Sequence, residues 1–172
     1  MKTWICLLSV LFVLPVTAAL AAPPQGASQD ASWLIATHQT NLSEIQSGQL
    51  AAKTGHTESV RNAGQMLASD HQSLDEKLKP VAEQMGVKLP DQPNMEQRDE
   101  MQHFKSLSGM QFDRDWTKTE ADGHVKSVEA TEREIQHGSS AEVKQLAQSA
   151  LPVLKKHLRT LKAASTKLSG SM

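Results

Sequence analysis

Val60, Gly64, Leu67, His71, Leu74, Leu78, Val81 and Met85 follow one another at alternating spacings of four and three residues. That alternation is one face of a long helix, and it puts an imidazole near the midpoint of a row that otherwise faces a core. Val143, Ala147, Ala150, Leu154, His157, Leu161, Ala164 and Leu168 repeat the pattern, again with one histidine in the row. A weaker row runs Thr117, Ala121, His124, Val128, Thr131 and Ile135. Three helices therefore each direct an imidazole to where an apolar side chain belongs.

Composition agrees with an all-helical chain. Aromatic residues are 3% of the sequence and tyrosine is absent, whereas strands favour aromatic and β-branched residues. Lys2, the apolar run 4–14 and the small residues 18–22 have the layout of a secretory signal peptide over 1–21, so the mature chain is expected to begin near Ala22 in the periplasm or outside the cell. The apolar run is too short for an anchor, and no second segment reaches membrane-spanning length. Cys6, the single cysteine, lies in that leader, so the mature chain has no disulfide or thiolate ligand. Losing Lys2 takes Lys+Arg from 18 to 17 against 19 Asp+Glu, a net charge of −2 that gives no case for nucleic-acid binding.

Residues 22–31 read as a disordered lead, 32–168 as one helical domain and 169–172 as a tail. In the first helix Leu34, Thr37, Asn41, Glu44, Gly48 and Ala51 share a seam. Glu44 sits at the edge of its apolar face, and Gly48 lets a neighbouring helix approach closely. Thr57 is the expected cap of the second helix, and Gly86 its stop. The connector over 87–107 carries Pro90, Pro93 and a short helical pattern of Met101, Phe104 and Leu107. Its length permits a crossover along the bundle as well as a simple reversal. Ser108 with Gln111, and Ser139 with Glu142, predict capping boxes for the last two long helices. The fold class is thus all-α: a four-helix bundle with a short extra helix between the second and third long helices.

His71 and His124 sit at their helices' midpoints and are level whichever way those helices run. Glu44 and His157 lie off that plane by about 4 to 6 Å at about 1.5 Å per residue. Three imidazoles at one level of a core cost free energy unless hydrogen-bonded or sharing a ligand. Glu44, His71, His124 and His157 are therefore expected to hold one divalent metal ion, zinc or iron, with Asp70, Asp113 and Glu120 as extra ligands or outer acceptors. Glu100 with His103 and Glu134 with His137 fall in the connector and at a helix end, and His38 and His56 read as surface or loop residues.

The chain resembles the secreted bacterial family catalogued as domain of unknown function 4142, a ferritin-like helical bundle, over about 32–168. The resemblance rests on Asn41-Leu42-Ser43-Glu44-Ile45, Gly48-Gln49-Leu50-Ala51, Ser69-Asp70-His71, Leu107-Ser108-Gly109, Phe112-Asp113-Arg114, His124, Leu151-Pro152 and His157. Trp116 stands where such members commonly have tyrosine. The resemblance implies fold and export, not an activity. Two function classes follow: an exported metal-binding bundle in metal handling or envelope stress, or a non-catalytic module that binds an envelope protein partner and whose polar layer sets helix register. No serine or cysteine nucleophile sits in a setting that suggests hydrolase chemistry.

Overall fold

The computed structural model describes residues 25–170, with side chains from Gln29 onward; the expected signal peptide lies outside them. They form five helices and no strand: α1 (Gln25–Thr54), α2 (Glu58–Gln84), α3 (Met95–Ser106), α4 (Gly109–His137) and α5 (Ala141–Ser169). The chain is all-α, with α3 as the short element inside the connector.

Helix α1 starts at Gln25, ahead of the expected start at Ser32, so most of the stretch read as a disordered lead is helical. The reason is Asp30. Its buried carboxylate accepts the amides of Ser139 and Ser140, each at 2.9 Å, and the Ser139 hydroxyl at 2.6 Å. An acceptor on α1 thereby closes the turn between α4 and α5 and satisfies amides a helix start leaves open. Asp113 does the same at the other end: from α4 it accepts the amides of His56 and Thr57, each at 2.8 Å, and the Thr57 hydroxyl at 2.7 Å, closing the α1–α2 turn.

These clamps shift the local capping. Ser140, not Ser139, caps α5 by accepting from the Val143 amide, because Ser139 is engaged by Asp30. Ser108 precedes α4 but makes no side-chain cap bond. The reciprocal capping box lies instead at α3, between Asn94 and Gln97.

Helix directions follow from which residues meet. Asn41 reaches His71 and His38 reaches Asp75, so α1 and α2 are antiparallel. Asp30 meets Ser139 while Ser47 meets Glu120, so α1 and α4 are antiparallel too. Helices α2 and α4 consequently run the same way, and the connector must return along the bundle. At 27 residues α2 is about 40 Å long. The connector covers that distance with α3 packed chiefly on α1. His38 fastens its start: one ring nitrogen is 2.6 Å from Asp75 Oδ1 and the other 2.9 Å from the Pro90 carbonyl. The surface reading of His38 is thus corrected.

Gly48 and Gly64 face each other across α1 and α2. A Cβ on either would lie 2.6 Å from the other's carbonyl oxygen, so only glycine lets the two backbones touch here. The expected inward row of α5 is buried throughout. That of α2 is buried through Leu78 and then passes to Ala82, leaving Met85 36% exposed. A strict four-three repeat averages 3.5 residues per turn and drifts around a 3.6-residue helix.

Candidate metal centre

At mid-height three imidazoles from three helices converge. His124 Nε2 of α4 is 3.4 Å from His71 Nε2 of α2 and 3.1 Å from His157 Nδ1 of α5. One nitrogen from each lies within 4.8 Å of the others, and all three residues are buried.

The partners of the outward nitrogens fix where the ring protons are. His124 Nδ1 donates to the Glu120 carbonyl at 2.8 Å, an oxygen that can only accept. His157 Nε2 donates to Asp70 Oδ2 at 3.0 Å. Asn41 Nδ2 donates to Asp75 Oδ1 at 3.4 Å, which turns Asn41 Oδ1 toward His71 Nδ1 at 2.9 Å; that nitrogen is therefore the donor. Each neutral ring carries its N–H on the outward nitrogen, donated to an outer acceptor, and three bare nitrogens face one another. Metal-ligating histidines are held in this way, their other N–H on a carboxylate, carbonyl or amide oxygen.

Electrostatics keeps the rings neutral. Burial, then the fields of His124 and His157, drives His71 well below the usual imidazole value. Burial also lowers His124, against the opposing pull of Glu120. Burial takes His157 down to about 4 although its bond to Asp70 works the other way. Lys156 Nζ, 3.3 Å from the same Asp70 oxygen, helps hold Asp70 below its ordinary value, where burial alone would raise it.

Behind His124, on its Nδ1 side, lie Glu44 and Glu120. Glu44 Oε1 is 3.6 Å from Nδ1, and the Ser47 hydroxyl donates to Glu120 Oε1. Burial raises Glu44 to about 8. Burial and the charge of Glu44 push Glu120 well above the carboxylate range. Burial and the nearness of each to the other thus hold both carboxyl groups toward the protonated form. With His124 they form a second group whose ligand atoms lie within 4.8 Å of one another.

The expected residues are thus divided. His71, His124 and His157 meet at one focus, with Asp70 bonded to the outer side of His157. Glu44 and Glu120 stand together behind His124. Asp113 is elsewhere, committed to the α1–α2 turn, and is no part of the centre. Glu134 is bonded to Gln29 and paired with Asp30, and His103 is exposed beside Asp115. Sequence reasoning placed Asn41 in the inward seam without giving it a role. It missed Asp75 altogether, although both orient His71 from outside.

A family model described as a domain of unknown function, DUF4142, matches residues 15–164, and the chain belongs to that family. No match was found among curated proteins or among solved structures.

Proposed function

From that membership and this geometry, we propose that the chain is an exported, ferritin-like four-helix bundle that binds one divalent transition-metal ion, zinc or iron, through His71 Nε2, His124 Nε2 and His157 Nδ1. The observation that carries the proposal is the set of three bare, inward nitrogens whose partner nitrogens are all committed as donors. Three lone pairs at 3.1 and 3.4 Å repel one another unless a cation or proton lies between them. A tetrahedral ion with about 2.0–2.1 Å bonds to nitrogen separates its ligands by about 3.3–3.4 Å, which these distances approach. Three protein ligands leave a coordination position open, as a protein that takes up and hands on an ion, or uses it, requires.

Glu44 and Glu120 serve this site from behind. A dication at the focus favours their ionisation, so metal uptake draws a proton from the pair and a negative charge develops beside the bound ion. Metal handling in the cell envelope is the role that joins this site to the expected signal peptide.

The test is elemental analysis with thermal melts on the mature protein, with and without chelator. One equivalent of metal, a raised melting temperature and loss of both in His124→Ala support the proposal. Wild-type melting indifferent to metal, with His71→Leu as stable as wild type or more so, would show instead that the polar layer only sets helix register. Export is tested separately by mass spectrometry of a periplasmic fraction. The mature chain should begin near Ala22, and an intact Met1 on the soluble protein refutes export.

A further inference from the structure

Between the imidazole layer and the α4–α5 turn the bundle encloses a cavity of about 370 Å3, within the roughly 300–1,000 Å3 of small-molecule sites. Trp33, Leu74, Leu78, Leu146 and Leu154 form its apolar walls. Ala36, Ala130 and Ala150 make the room, since larger side chains there would fill it as protein interiors are normally filled. Its exposed lining residues, Ser32, Ala36, Lys126 and Arg133, all belong to α1 and α4, so it opens between those helices. Asn41 and His71 line its end at the imidazole layer.

The charge at the opening points to the ligand. The exposed charges lining the opening are both cations. Lys126 is partly offset by the fields of Glu100 and Asp122. The acid in the wall, Glu134, accepts from Gln29 at Oε2, and burial with the neighbouring Asp30 raises it to about 7, which weakens its negative charge.

We propose that this cavity binds a medium-chain carboxylate, its chain among the leucines and its carboxylate held at the mouth by Arg133 and Lys126. The inference does not rest on the metal reading, because the cavity is bounded by His71 alone of the three histidines.

Calorimetric titration of the mature protein in chelator with decanoate, and with decanol as the neutral control, tests it. Saturable one-to-one decanoate binding is expected, weakened at least about tenfold by Ala150→Phe, which fills the cavity. Ala130→Leu fills the same space from another helix and serves if Ala150→Phe melts early. Arg133→Glu with Lys126→Glu should weaken decanoate and leave decanol unchanged. Absence of saturable decanoate binding overturns the proposal. So does decanoate binding that both cavity-filling variants leave intact, or that charge reversal at the mouth does not alter.

Discussion

The two halves of this bundle, divided by the imidazole layer, are built on opposite principles. Toward the α1–α2 turn, Gly48 and Gly64 put two backbones in contact, and Leu67, Phe104, Phe112, Trp116 and Leu161 fill what remains. Toward the α4–α5 turn, Trp33, Leu78 and Leu146 surround a space that small residues on α1, α4 and α5 leave open. Both halves end in the same device, an aspartate accepting two turn amides and a hydroxyl. The difference therefore lies in the side chains between those ends: one half is packed to backbone contact and fixes where His71 stands, while the other keeps a route into the interior beside it.

The largest effect should come from adding carbon to each half. Gly64→Ala sets a methyl 2.6 Å from one backbone oxygen and 2.7 Å from a backbone nitrogen, so urea unfolding should show a loss of about 3 kcal/mol. Ala150→Leu adds more carbon in the open half yet should stay within about 1 kcal/mol of wild type or gain stability, because it fills space. Equal losses would erase the contrast.

Next in size is the layer between the halves. Zinc at about a hundred times its dissociation constant should stabilise the wild type by about 2.7 kcal/mol and His124→Ala by nothing, read as the shift in melting temperature on adding metal. A shift retained in His124→Ala would remove His124 as a ligand. The end clamps come third: Asp113→Ala and Asp30→Ala should each cost about 2 kcal/mol, the loss of a helix-start acceptor. Hydrogen exchange should speed up at residues 55–60 in the first variant and 138–143 in the second.

The smallest effect is a pH dependence confined to the open half. Burial, together with Asp30, raises Glu134 to about 7 from an ordinary 4.5. Its contribution to stability is therefore complete below about pH 4.5 and is lost as pH rises through about 7. Glu134→Gln keeps a neutral donor, so wild type should fall behind it by about 1 kcal/mol between pH 5 and 8 in denaturant melts. A difference that does not change with pH would show that Glu134 is ionised throughout.

Much of this was legible from helical periodicity alone. A histidine in a four-three row has to face inward, which is why His71, His124 and His157 were found and why they meet. The row in α1 was harder, since Leu34, His38, Asn41, Ile45 and Gly48 fit the spacing as well as the series through Thr37. Choosing Thr37 hid His38, and with it Asp75 and the fastening of the connector. Asp113 lies on the helix of Glu120 and His124 and so reads with them as an extra ligand or outer acceptor. Its true partners lie more than fifty residues away in a turn, and no local pattern announces a cap supplied by another helix. Asp30 was lost for the same reason, and the start of α1 with it.

The crossover between α2 and α4 divides the molecule into two antiparallel helical hairpins joined by one strap. The first hairpin carries Glu44 and His71; the second carries Glu120, His124 and His157. Neither holds the centre by itself, so the three-nitrogen focus exists only once the hairpins have docked, and an ion that needs all three nitrogens selects the docked form. On the proposed metal reading, cleavage in the loop before α3 would leave two fragments whose reassociation rises with metal concentration, a split, metal-reporting pair.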